Sequence, residues 1–318
     1  IVRVVTPGTL TEESLLDARG QNFILSIYKS LLGEYAIAWA DISDGSFNVS
    51  EVDPMNLPSK LAAFSPSEVI IPELLYQDSE FLKNLHLRDT SLTPQPAIKF
   101  NYRSAEAHLQ KCFNVKSLQG FGSFTKAEIS AAGALLNYLE LTQAGNRVQL
   151  SNLKQNSTSN YLLIDPATRT SLEIDRNQRG LKDGSLLSVV DRTITGAGAR
   201  LLKQRLNSPL IDSCEINKRL DSVDFFVKKD KLLLKLRTEL RKTGDMARSV
   251  SRLGLGRGSP KDILTLSQGL MLCQEIENFF HDVTDFFHFG NCSFPFSDVI
   301  QELFIFSLIQ LRLLIIFK

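Results

Sequence analysis

Residues 35–52 read "YAIAWADISDGSFNVSEV". Two runs, "YAIAWADI" at 35–42 and "SFNVSEV" at 46–52, are apolar or alternate apolar with polar. Between them "SDG" supplies the Asp-Gly pair that favours the positive φ of a tight reversal. The stretch predicts a β-hairpin, with Trp39 as a core residue of its first strand. Working outward, "EVII" at 68–71 and "PAIK" at 96–99 are further short apolar runs. They alternate with helical patterns around 56–64, 102–112 and 126–144. Strands alternating with helices predict an α/β domain.

Near residue 150 the pattern changes type. "NSTSNYLLIDPATRTSLEI" at 156–174 reads as a loop and an Asp-Pro turn around a strand pair, and helical signals follow. In 213–228, Ile216, Leu220, Val223 and Val227 fall at helical spacing on one face, behind an Asp212 cap and Glu215. In 231–242, Leu233, Leu236 and Leu240 form the stripe, and Gly244 ends the helix. Ser259 as cap, Pro260 at the first helical position and Asp262 in the first turn predict a helix start, with Ile263, Leu266, Leu270 and Cys273 as its face. The sequence thus predicts an α/β part followed by an all-α part.

A chain of 318 residues, 43% of them hydrophobic, is long enough for two ordinary cores. Cys112, Cys214, Cys273 and Cys292 show neither CxxC nor Cys/His ligand spacing, so a disulfide framework and a zinc site are not indicated. The opening at Ile1 without a signal-peptide shape predicts an intracellular segment of something longer. Charge is unevenly spread. Residues 151–262 hold 22 Lys and Arg against 13 Asp and Glu, a net of +9, while 1–150 and 263–318 each carry −4. A basic middle leaves two readings open: a nucleic-acid face, or basic residues on solvated helix sides that pair with neighbouring domains.

The most punctuated part of that middle is "DRTITGAGARLLKQRLNSPL" at 191–210. Thr195 is placed to cap a helix, Leu201, Leu202 and Leu206 cover one side, Arg200, Lys203 and Gln204 the other, and Asn207-Ser208-Pro209 stops it. A helix start of this kind can cradle a phosphate, but neither GxGxxG nor GxxxxGK[ST] is present. Together with "INKRLDSVDFF" and "RSVSRLGLGRGSPKDILTL", the stretch resembles the central region of the MutS family of DNA mismatch-recognition ATPases. Asp191, Arg192, Thr193, Gly198, Arg200, Leu201, Leu202, Pro209, Arg219, Leu220, Asp221, Val223, Arg252, Gly256 and Pro260 fall in that family's order and spacing. "RVVTPGTLTEE" at 3–13 resembles the link that precedes the family's connector domain, and 33–145 resembles the connector.

The resemblance implies a linker at 1–14, an RNase H-like connector domain at 15–148, a partial helical core/lever domain at 149–280, and an aberrant hydrophobic tail at 281–318. It implies a coupling role between mismatch binding and the ATPase. The family's Phe-x-Glu mismatch reader and Walker A lysine would lie outside this chain, so no catalytic, cofactor or metal residue is expected within it. ATP and magnesium would belong to the complete family protein. The implied partners are mismatched duplex DNA, MutL through the connector, and a second copy in the complete family protein. The implied location is the cytoplasm, with no membrane.

From Phe279 a long charged helix is expected by resemblance, but the chain turns to Phe, Ile and Leu, with ten of its 20 phenylalanines between 279 and 317. Residues 303–317, "LFIFSLIQLRLLIIF", fall short of the roughly 20 apolar residues a membrane span needs and include Gln310 and Arg312. Two further functional readings remain. Asp41, Asp44 and Glu73 could be proposed as a metal-binding set of an RNase H-like nuclease, although each has an ordinary role at a strand end, in a turn or in a helix's first turn. The basic middle could act as a non-specific DNA-binding module. His86, His108, His281 and His288 have no Cys/His partner set and read as ordinary surface or core histidines.

Overall fold

The computed structural model describes residues 4–87, 90–144, 148–156 and 160–284, with side chains as far as Ile276. Its chain divides into two compact units, Ile1–Asp191 with Leu202–Pro209, and Arg192–Leu201 with Leu210–Lys318.

The first unit is built on six strands: β1 (Ile24–Lys29), β2 (Tyr35–Asp41), β3 (Ser46–Val52), β4 (Glu68–Pro72), β5 (Ser91–Gln95) and β6 (Lys154–Gln155). They lie in the order β5-β4-β1-β2-β3-β6. β1, β2 and β3 form an antiparallel meander, while β4 adds parallel to β1, β5 parallel to β4 and β6 parallel to β3. Helices α1 (Leu57–Phe64), α2 (Glu73–Tyr76), α3 (Ser79–Asn84), α4 (Tyr102–Phe113), α5 (Lys126–Thr142), α6 (Pro166–Ser171) and α7 (Leu186–Val190) complete it. This mixed sheet with helices is the expected α/β architecture.

Strand alternation sorts the two sheet faces. Tyr35, Ile37 and Trp39 join Leu25, Ile27, Val69 and Ile71 in one buried cluster, closed by Leu57 and Leu61 of α1. The intervening Ala36, Ala38 and Ala40 are fully buried on the other face, where α5 crosses the sheet. Small residues continue along α5 as Ala127, Ala131, Ala132 and Ala134, which lets the helix come close to the strands. Gly133 of α5 meets α4 at Ala105, where a Cβ on the glycine would stand 2.3 Å from the Ala105 Cβ. Thr125 and Glu128 start α5 with a reciprocal capping box.

Two local expectations are corrected. The strand lies at 91–95, not at "PAIK", whose residues form a short 3₁₀ turn at Ala97–Phe100 with Pro96 as its cap. Asp165-Pro166 starts α6 instead of a turn in a strand pair: Asp165 accepts the Ala167 and Thr168 N–H groups at 3.0 and 2.9 Å, and Pro166 stands at a first-turn position where no N–H is needed.

The second unit contains α9 (Ser213–Val227), α10 (Asp230–Leu240), α11 (Met246–Gly254) and α12 (Pro260–Thr284), and the first half of α8 (Gly196–Asn207). Leu232, Leu272 and Ile276 are its buried cluster, with Phe225, Phe226, Leu236 and Leu240 packed around them. The helices begin where expected, at Asp212 and after Ser259, and Leu236 and Leu240 of α10 face inward as expected, but the inward face of α9 is rotated. Leu220, Val223, Val227 and Ile263 are exposed, Leu232 is buried beside the expected Leu233, and the adjacent Phe225 and Phe226 take the inner position on α9. The bulkier aromatic pair removes more apolar area from water than Val223 and Val227 would. Among the described residues no helix is long and apolar enough to cross a membrane. The 303–317 stretch, His288 and Cys292 lie outside the described residues, as does the side chain of His281.

Candidate functional site

Among the described residues, buried charge gathers where α8 meets the start of α11 and where the end of α11 meets the start of α12. Gly244-Asp245 precedes α11, and Asp245 caps it by accepting the Arg248 N–H at 3.2 Å. The other Asp245 oxygen takes Arg200 Nη1 of α8 at 2.7 Å and lies 3.8 Å from Arg248 Nε. One turn before the end of α11, Arg252 donates Nε to Asp262 Oδ1 at 2.9 Å, adds a second, shorter contact from Nη2, and reaches Ser249 Oγ at 3.1 Å. Asp262 turns its Oδ2 back to the Ser259 N–H and hydroxyl at 2.8 and 2.9 Å.

Two aspartates therefore each combine a helix-capping role with an arginine pair. Each direct pair sets one buried side chain, Arg200 at 6% or Asp262 at 5% exposure, against a half-buried partner, Asp245 or Arg252. Burial alone would raise the Asp262 carboxyl, but the Arg252 guanidinium and the Ser259 donors outweigh it and hold that group well below the usual carboxylate range. The arrangement can fix helices relative to one another.

The residues singled out in the sequence fall into three groups. Arg200 and Arg252 belong to the charged site. Asp191, Arg192, Thr193, Gly198 and Pro209 shape the backbone around α8. Asp191 accepts Arg19 Nη2 at 2.6 Å, the Arg192 carbonyl accepts Arg237 Nη2 at 3.0 Å, and the Pro209 carbonyl accepts the Leu162 N–H at 2.8 Å. Thr193 lies beside Gly198, whose N–H donates to the capping Thr195 hydroxyl at 3.1 Å, using the group a phosphate would have needed. Gly256 closes the turn after α11 at φ +68°, and Pro260 opens α12. The rest are packing or surface positions. Leu201 and Leu202 are half-buried along α8, while Leu220 and Asp221 are exposed on α9 beside half-buried Arg219.

The basic side of α8 is not a solvated face. Arg200 is buried on Asp245, and Lys203 lies 3.8 Å from Asp175, with only Gln204 exposed. Burial lowers the Lys203 ammonium, and the Asp175 charge opposes that shift. The carboxylates named for a nuclease are not brought together. Asp41 is fully buried, accepting the Asn22 N–H, the Ser43 N–H and the Ser43 hydroxyl at 2.9, 2.9 and 2.6 Å. Asp44 accepts the Ser46 N–H, and Glu73 is exposed at the start of α2. Among the described residues no group of three His, Cys, Asp or Glu side chains could hold a metal ion.

Sequence reasoning missed Asp245 and Glu68. Glu68 is a buried carboxylate in β4 that accepts Thr6 Oγ1, the Gly8 N–H, Thr93 Oγ1 and the Tyr138 hydroxyl at 2.5, 3.1, 2.8 and 2.6 Å. It ties residues 6–9, read as part of a linker, into the sheet. A single acid opening the apolar run "EVII" was the available signal.

Two family models match the chain. One described as MutS domain II covers residues 22–154, and one described as MutS domain III covers residues 167–311. Their junction lies next to the change of sequence pattern near 150. The second match continues through most of the Phe-rich segment.

Proposed function

We propose that this chain, which belongs to the MutS family of DNA mismatch-repair proteins, couples mismatch binding to the family's ATPase without performing chemistry itself. The observation that carries this reading is the pair of largely buried arginine–aspartate contacts, Arg200 to Asp245 and Arg252 to Asp262, that tie α8 to the start of α11 and the end of α11 to the start of α12. Helices locked at their ends by such pairs respond to a push on any one of them as a group, which is the property a relay requires. The first unit supplies the surface that meets MutL, and mismatched duplex and a second copy are partners of the complete assembly. ATP and magnesium act elsewhere in that assembly, and the cytoplasm suits Cys112, Cys214 and Cys273, which are not joined in disulfides.

The purified chain tests this directly. It should bind MutL, leave ATP and DNA intact, and hold DNA only weakly, with no preference for a mispair and a steep loss on adding salt. ATP or DNA turnover that survives repurification and responds to a point substitution in the chain would overturn the reading. So would an affinity for mismatched over matched duplex of about tenfold or more at near-physiological salt.

A further inference from the structure

The connections at one end of the sheet share an unusual composition. The ladder places Lys29 opposite Tyr35, Tyr35 opposite Val52, and Pro72 opposite Gln95, and β1 runs parallel to β4. The segments following β1, β3, β4 and β5 therefore all emerge at the same end. Leu31 and Leu32 stand there at 105% and 87% exposure, with Met55 at 88%, Leu74 at 73% and Ile98 at 72%. Tyr76 adds a partly exposed ring.

The leucines are not products of a frayed turn. Ser30 and Glu34 close it through the Ser30 N–H to the Glu34 carbonyl at 2.8 Å, and the Gly33 N–H reaches the Ser30 carbonyl at 3.0 Å. A closed turn that points two leucines into water, where polar residues would serve, marks a contact surface. Five strands spaced at about 4.8 Å set these loops along a line of roughly 20 Å, the scale of a standard protein–protein footprint.

The charge around the patch selects the occupant. Glu34, Asp53, Glu73, Asp78 and Glu80 are exposed on the same connections, against exposed Lys29 and Lys83 and half-buried Lys99, which leaves the rim acidic. Lys29 already sits over the Tyr35 ring at 5.3 Å. An acidic rim repels nucleic-acid phosphate and anionic lipid, and in a two-fold contact it would face its own like charge. We propose that this end of the sheet docks a protein whose contact face presents apolar side chains ringed by lysine and arginine. The assignment rests on the reading that the first unit meets MutL, and it names the surface that does so.

The test uses the full chain with purified MutL as the probe. Binding is compared for wild type, Leu31→Ser/Leu32→Ser/Met55→Ser, Glu34→Lys/Asp53→Lys, and a control, Lys111→Glu, exposed on α4. Both multiple variants should weaken binding at least tenfold, the control should not, and wild-type affinity should fall with added salt. The altered side chains are exposed, so the unfolding midpoint read from Trp39 should stay unchanged in every variant. Unchanged affinity in both multiple variants overturns the surface and leaves the MutL reading standing. Failure of wild type to bind MutL overturns both. A wild-type dimer that the triple-serine variant abolishes assigns the patch to a second copy and overturns the choice of partner.

Discussion

Replacing Arg252 by Met removes both guanidinium contacts to Asp262 while keeping most of the side chain's length. Asp262, 5% exposed in the intact pair, then keeps the Ser259 N–H, the Ser259 hydroxyl and the Ser249 hydroxyl as donors. Breaking a buried ion pair from one side costs about 3–5 kcal/mol. The surviving donors place Arg252→Met near the lower end, about 3 kcal/mol, a factor of roughly 100 or more in the folded-to-unfolded ratio of the second unit. Asp262→Leu should cost more, about 4 kcal/mol, because it also removes the Ser259 cap, which alone contributes about 1 kcal/mol. The double variant leaves neither charge unpaired and should be about as stable as Arg252→Met or better, far short of the sum of the two.

Urea unfolding followed by far-UV circular dichroism, with Trp39 fluorescence in parallel, separates the two units. The chain's single Trp sits in the first unit, so its midpoint should not move while the helical signal loses stability. Acid sharpens the test. The folded Asp262 carboxyl is held below its unfolded value, so its contribution is complete above the unfolded carboxylate pKa of about 4 and is lost as pH falls toward the folded value. The gap between wild type and Arg252→Met should narrow over that window. A loss under about 1 kcal/mol at neutral pH, or singles that add in the double variant, would show that the pair is solvated and refute the locked-helix argument.

Three further outcomes are expected. Gly133→Val would push side-chain carbon into Ala105 and should lower the Trp39-detected midpoint by at least about 2 kcal/mol, whereas retained stability would mean α4 and α5 can separate freely. Burial, and then the Glu68 hydrogen bond, push the Tyr138 hydroxyl up to about 12; stability held by its protonated form is complete below the unfolded value near 10 and lost as pH rises through about 12. Tyr138→Phe should flatten that alkaline loss, and an unchanged slope would place the loss elsewhere. Burial also pushes the Lys60 ammonium down to about 8, so wild-type stability should rise between about pH 8 and 10 as the folded chain sheds this charge first. Lys60→Met should therefore stabilise the first unit at pH 7 by about 1–2 kcal/mol, measured by the same fluorescence titration, and a destabilised variant would show that the amine has a compensating partner.

The hairpin at 35–52 was legible because its two signals are local: alternation over seven residues and Asp-Gly at the reversal. Helix starts were legible for the same reason, since Asp212, Thr195 and Ser259 each act within three residues of themselves. The direction a helix faces is not local. Three apolar residues of the α9 stripe, Leu220, Val223 and Val227, point outward because Phe225 and Phe226, adjacent in sequence, bury more surface against Leu232 and Ile276. "PAIK" failed similarly: apolar residues beside a proline fit a strand edge and a 3₁₀ turn equally well, and only the parallel pairing of residues 91–95 with β4 decides between them.

Charge was harder still to read, because sequence counts it and structure assigns it. The +9 of residues 151–262 survives any amount of internal pairing, since pairing cancels equal numbers of both signs. What changes is which cations face water. Arg200, Arg252 and Lys203 are drawn to Asp245, Asp262 and Asp175, while Lys218, Lys228 and Lys242 pair with acids three or four residues away along their own helices. The first three are substantially buried, where an unpaired charge would cost several kcal/mol, so their aspartates are obligatory. The last three are exposed, where such pairs are worth under about 1 kcal/mol and open readily to a passing phosphate. Of the arginines that carry the family motif, Arg200 and Arg252 are engaged in the contacts that hold the helices together. Exposed lysines of this kind contribute phosphate contacts that carry no sequence readout and weaken as salt is added.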